Sequence, residues 1–161
     1  MIATARTFRP ALLLLLAGLL GACGAAPPPP PSPTLVEITF IAAPDVNPDP
    51  SGRASPIVVR YYQLAATGAF EMADYFQLHD TEAAVLGQNL LDRQELALAP
   101  GTSQTVAFAV KPGTQSVGVA ASYRNIDRAQ WRAAAPVAEG KKTKLKVQLD
   151  TLTLSITPDA K

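Results

Sequence analysis

Few side chains in this 161-residue sequence have a claim to chemistry, and their spacing limits what that chemistry can be. Asp45-x-Asn47-x-Asp49 repeats the opening of an EF-hand calcium loop. Such a loop also needs glycine at its sixth position and a bidentate glutamate at its twelfth. Those places hold Pro50 and Pro56, and the flanking segments read as strands. A proline-stiffened loop is the better account, and no metal is assigned. A Gly-x-Ser-x-Gly elbow is absent, and no Ser or Cys has an evident base partner. Glu71, Asp74 and His79 fall near one another on an expected helix, where a solvated charged face is the plain reading. His79 is the sole histidine, so a His-based metal cluster is excluded. No catalytic residue and no cofactor is assigned, and the chain is read as a non-enzyme. Tyr123, Arg124 and Trp131 form either a binding patch or a core plug; a lone Trp after a strand favours the plug. Lys141, Lys142, Lys144 and Lys146 make a basic strip, read as protecting an edge strand from pairing rather than as touching anionic lipid.

Cys23 is the only cysteine. Upstream, Met1 to Pro10 carries Arg6 and Arg9 without an acid, and Ala11 to Leu20 is a short apolar run. A basic start, an apolar middle and small residues at a cut site make a secretory signal. The run is about half the ~20 residues that span a bilayer. Leu20-Gly21-Ala22-Cys23 resembles the lipobox of bacterial lipoproteins, in which the thiolate is acylated and becomes the first residue of the mature chain. An ordinary signal peptide followed by a chance Cys is the weaker alternative. The resemblance implies a signal peptide over residues 1–22 and covalent lipid on Cys23 as the membrane anchor. Gly24 in place of Asp implies sorting to the outer membrane, inner leaflet, facing the periplasm. Two or more acyl chains hold a protein stably where one does not. A lipidated Cys23 leaves no thiol for an intrachain disulfide, so the fold must stand on its core alone.

Residues 23–34 then form a tether. Ala25 to Pro33 reads Ala-Ala-Pro-Pro-Pro-Pro-Pro-Ser-Pro, a run short of amide donors with φ near the polyproline II value. It serves better as a stand-off spacer than as an SH3-type ligand, and Cys23 to Leu35 reaches about 35 Å at ~3.1 Å per residue.

Behind the tether, 35–161 is one domain's worth of chain, long enough to bury a core. A charged fraction of 17% and a net charge of +1 leave no electrostatic footprint for nucleic acid. Aromatic residues at 6% advertise no stacking platform. Strands are expected at Leu35 to Ala42, where Val36, Ile38 and Phe40 alternate with polar residues, and at Ile57 to Leu64, a near-continuous apolar run suited to a central strand. Four prolines between Pro44 and Pro56 exclude a ladder or helix there. Helical spacing over about 68–87 predicts one or two short helices on a sheet edge. Leu90 to Leu98, Thr105 to Val110 and Gln115 to Arg124 are further strands, the last with Gly118, Ala120 and Ala121 where another layer comes close. Asn125 to Arg132 reads as a loop or helical turn. Leu145, Val147 and Leu149, then Leu152, Leu154 and Ile156, alternate with opposite parity, which requires a turn or bulge at Asp150-Thr151. Seven or eight short strands with turns between them predict an all-β, antiparallel two-sheet β-sandwich.

The lipobox is followed by Asn47-Pro48, Gly52-Arg53, Ser55-Pro56 and Ile57-Val58-Val59-Arg60-Tyr61-Tyr62-Gln63-Leu64. Then come Phe70, Ala73-Asp74, Leu78, Pro100-Gly101, Val117-Gly118-Val119-Ala120-Ala121-Ser122-Tyr123-Arg124 and Trp131-Arg132. This ensemble resembles the TssJ (VasD/SciN) family, the outer-membrane lipoproteins of type VI secretion systems. The resemblance implies a transthyretin-like sandwich with a short helical insertion. It also implies an anchoring role, in which the loop between the first two strands docks the periplasmic C-terminal domain of TssM. Carried over by position, that loop is Asp45 to Ser55, with Asp45, Asn47, Asp49, Arg53 and Ser55 as candidate contacts. The alternative is a free-standing periplasmic lipoprotein β-sandwich that binds a ligand or assists envelope assembly; a periplasmic hydrolase is more distant.

Overall fold

A computed structural model gives the structure of residues 32–159. The expected signal segment 1–22, the acyl acceptor Cys23 and most of the tether lie outside the described residues. Eight strands form two four-stranded sheets. The first sheet runs β4-β1-β7-β8, with β1 at Leu35–Ala42, β4 at Ser103–Ala109, β7 at Lys142–Leu149 and β8 at Leu154–Pro158. The second runs β3-β2-β5-β6, with β2 at Ile57–Leu64, β3 at Leu90–Leu98, β5 at Ser116–Ala121 and β6 at Arg132–Pro136. Three short helices, α1 (Gly68–Met72), α2 (Tyr75–Asp80) and α3 (Glu82–Leu86), join β2 to β3. The pairings are antiparallel except β1 with β7, which run parallel with Ile38 opposite Leu145. A parallel pair needs a long connection, and here most of the domain lies between the two strands.

Alternation places Val36, Ile38 and Phe40 of β1 and Leu145, Val147 and Leu149 of β7 on one inner face. Opposite them lie Val59 and Tyr61 of β2 and Val117, Val119 and Ala121 of β5, in a single buried cluster. The Asp150 to Thr153 turn, closed by Asp150 N–H donating to Thr153 O at 2.8 Å, absorbs the change of parity between β7 and β8. Tyr123 is buried, and its hydroxyl donates to Asp150 O at 3.2 Å.

The helices cover the outer face of the second sheet instead of an edge. Tyr62 and Leu64 of β2, Ala120 of β5, and Phe70, Ala73, Leu78 and Leu86 of the insertion make a second buried cluster. Strand β2 is thus buried on both faces, which is why its sequence lacks alternation. The close approach is made at Gly118. A Cβ there would sit 2.8 Å from Leu64 Cδ1 and 3.0 Å from Phe70 Cζ. Helices this short depend on packing and caps rather than propensity. Asp74 and Gln77 form a reciprocal capping box at the start of α2. The Arg132 guanidinium donates to Phe70 O and Ala73 O and so closes the end of α1.

Two further readings are corrected. The Lys141–Lys146 strip does not protect an edge, because β7 lies between β1 and β8. Lys142 reaches across the parallel pair to Glu37 at 2.7 Å. Strand β6, Arg-Ala-Ala-Ala-Pro, is not among the expected strands, because alanine carries no β signal. Trp131 is half-buried and touches both clusters, edge-on to Tyr75 at 5.3 Å and under the Arg132 guanidinium at 4.8 Å. That is a plug between insertion and sheet.

Ser32 to Thr34 leads into β1 at one end of the sandwich, where Thr34 accepts from Gly140 N–H and Val110 N–H. The β1–β2 loop leaves β1 at the other end, about 26 Å away for eight residues at ~3.3 Å each.

Candidate functional site

The β1–β2 loop is shaped from within. Val46, Asn47 and Ser55 are buried, whereas Asp45, Pro50, Ser51, Gly52 and Arg53 face solvent. Asn47 adopts a positive φ of 52°, a region that Asn tolerates better than most residues. Its side-chain amide donates to Pro56 O at 2.8 Å, and its Oδ1 accepts from Arg124 N–H at 2.8 Å. Its own N–H donates to Thr151 O, and Ser55 N–H donates to Val46 O. The loop is therefore stapled to the β5–β6 connection and to the β7–β8 turn.

The tip is a second closed unit. Asp49 Oδ1 accepts from Ser51 N–H at 2.9 Å and from Arg53 N–H at 3.0 Å, an Asx-type turn. Asp49 N–H donates to Arg53 O, and Gly52, at φ 81°, donates to Asp49 O. The Arg53 backbone N–H, with help from that of Ser51, holds the Asp49 carboxyl below its ordinary range. The Arg53 side chain is 84% exposed although its Nε lies 3.2 Å from Asp49 Oδ2. Asp45 accepts a hydrogen bond from the Thr151 hydroxyl.

Of the five candidate contacts, Asp45 and Arg53 present side chains outward, and Asp49 organises the tip. Asn47 and Ser55 turn theirs inward, Asn47 to Pro56 and Arg124 and Ser55 Oγ to 3.5 Å from Arg53 O. The side-chain oxygens of Asp45, Asn47 and Asp49 accept from three different partners, the Thr151 hydroxyl, the Arg124 N–H and the Arg53 N–H.

Residues 34–152 match the family of type VI secretion lipoproteins described as VasD, EvfM and TssJ. The chain belongs to that family. The crystal structure of the type VI secretion lipoprotein TssJ1 from Pseudomonas aeruginosa is 34% identical, with a TM-score of 0.77 over 80% of this chain and 98% of that one. The Serratia marcescens Lip structure, a membrane-bound component of a type VI secretion system, shares the fold at 24% identity and a TM-score of 0.73, over 80% and 99% of the two chains. A chain of a structure described as the TssM C-terminal domain from EAEC shares it at 21% identity and a TM-score of 0.65, over 78% and 99%. A search of curated proteins returned no match.

In this TssJ-family chain several charged groups outside the loop serve the fold. Asp74 caps α2, and His79 Nδ1 lies 2.8 Å from Asp80 Oδ1. A network invisible in the sequence clamps the insertion to the sheet. Arg60 Nε meets Glu95 at 2.7 Å, and its Nη1 meets Glu82 at 3.0 Å and donates to His79 O at 2.8 Å. Arg93 closes the square onto Glu82 at 2.8 Å. Beneath it, burial pushes the Tyr62 hydroxyl up to about 12. These residues are separated by 22 and 35 positions, and only the fold brings them together.

Proposed function

We propose that this chain is the outer-membrane subunit of a type VI secretion membrane complex, held in the inner leaflet by acyl chains on Cys23 and facing the periplasm. Its β1–β2 loop docks the periplasmic C-terminal domain of TssM, with Asp45 and the Asp49–Arg53 tip as the contact and Asn47 and Ser55 as its internal frame. No chemical step is assigned to it. The reading is supported above all by geometry: within a chain of this family, the segment leading to the tether and the exposed, internally bonded loop lie at opposite ends of β1. An anchor at one end and a grip at the other suit a protein that holds a partner arriving from the far membrane. A loop closed by its own hydrogen bonds has little freedom left to lose on docking. Confinement at the membrane raises the effective concentration, so that a moderate affinity retains the partner.

The test is binding of the full-length lipoprotein to the TssM C-terminal domain. Asp45→Ala with Arg53→Ala weakens binding ~10-fold or more, as expected where a few exposed groups dominate an interface, while the loss of two exposed contacts lowers stability by no more than about 1 kcal/mol. Unaltered affinity refutes the loop as the contact, and no binding by the unmodified protein returns the chain to a free-standing lipoprotein sandwich.

A further inference from the structure

The four edge strands of the sandwich are not equally protected. Strand β3 carries Asp92, Arg93 and Glu95, and β6 carries Arg132 and Pro136. Strand β8 is five residues long, ends in Pro158, and begins where Leu154 N–H donates to Gln130 O at 2.7 Å. Charge, proline and short length are the usual defences of an exposed edge. Strand β4 has none of them. It reads Ser-Gln-Thr-Val-Ala-Phe-Ala, seven residues without charge or proline.

Its hydrogen-bonding parity is fixed by its ends. Ala42 N–H donates to Thr102 O and Val110 N–H donates to Thr34 O, so even-numbered residues along this pairing bond to β1. The N–H and C=O groups of Ser103, Thr105, Ala107 and Ala109 therefore point away from β1. Among the described residues β4 pairs with β1 alone. Val106 and Phe108 are half-buried along the same fringe, with Phe108 stacked on Tyr61 at 5.7 Å.

We propose that this edge takes an extended, uncharged segment of the docked partner as an added strand, apolar at alternate positions so as to cover Val106 and Phe108. The proposal rests on the docking role above and extends that interface. The turn that opens β4 is bonded to the foot of the docking loop, with Gly101 N–H donating to Ala43 O and Ala42 N–H to Thr102 O. A partner gripping the loop therefore meets the edge without leaving the surface. Strand β4 also runs along β1, the axis from tether root to loop, so an added strand would continue from the loop along the length of the sandwich. Antiparallel self-pairing of two copies would set the two tether roots at opposite ends, about 26 Å apart, and is the competing outcome that the experiment below separates.

Amide hydrogen exchange by NMR on the unmodified lipoprotein, alone and saturated with the TssM C-terminal domain, tests this. In the free protein Gln104, Val106 and Phe108 are protected, while Ser103, Thr105, Ala107 and Ala109 exchange fast. In the complex the second set slows by ~10-fold or more. Protection confined to the Asp49–Arg53 tip overturns the strand pairing and leaves docking intact, whereas no change anywhere overturns docking itself. Concentration-dependent protection without partner assigns the edge to a second copy and overturns the proposal. Ala107→Pro removes an outward amide while sparing the bonds to β1. It weakens the complex ~10-fold, about the worth of one strand hydrogen bond, with the fold intact by circular dichroism.

Discussion

Asn47→Ala tests the frame of the β1–β2 loop apart from the contact surface proposed for it. Asn47 is 3% exposed, and its side chain makes two hydrogen bonds of 2.8 Å to backbone groups distant in sequence. Alanine leaves the Arg124 N–H and the Pro56 carbonyl without their partner; both bonds are part-buried, so each costs toward the lower end of the ~1–3 kcal/mol of an unsatisfied buried group. Alanine at φ 52° adds about 1 kcal/mol. Water entering the vacated space recovers part of this, which leaves a loss of ~3 kcal/mol, a large share of the ~5–15 kcal/mol typical of a domain. Urea denaturation of the two proteins measures it as a lower midpoint at constant slope. Arg53→Ala, on the same loop but 84% exposed, shifts stability by less than ~0.5 kcal/mol. A loss below ~1 kcal/mol for Asn47→Ala refutes the claim that this side chain holds the loop in shape.

Three further outcomes are expected. Cys23→Ser abolishes palmitate incorporation and membrane retention, checked by radiolabelling and fractionation, while the domain keeps its circular dichroism spectrum and binds TssM in solution. Gly118→Ala forces a methyl to within 3.0 Å of Leu64 and Phe70 and lowers stability by ~1–3 kcal/mol, read from thermal melting. The carboxyls of Glu37, beside Lys142, of Asp49, on the Arg53 amide, and of Glu95, beside Arg60, are all held below their ordinary range. Groups lowered in the folded state contribute stability above the unfolded carboxylate value of ~4 and lose it as pH falls through their folded values. The melting temperature therefore falls on acidification below about pH 4, and Glu95→Gln makes the fall shallower.

Local chemistry made much of this protein legible in its sequence. Alternation in β1 and β7 named the inner face because a half-buried strand records its two environments at every second residue. The bounds of β1, β2 and β3 and the helical insertion followed from period and turn residues alone. The expected acyl acceptor rests on four adjacent residues, and the family resemblance on motifs quoted in order. What tertiary structure decided were contacts between distant positions. The turn inward of Asn47, to bonds with Pro56 and Arg124, is one of them. The square of Arg60, Glu82, Arg93 and Glu95, the seating of Phe70 on Gly118, and the central place of β7 all depend on which strands become neighbours. Strand order is a global property: an eight-residue alternation tells a strand which face to bury, and nothing within it tells which edge is left open.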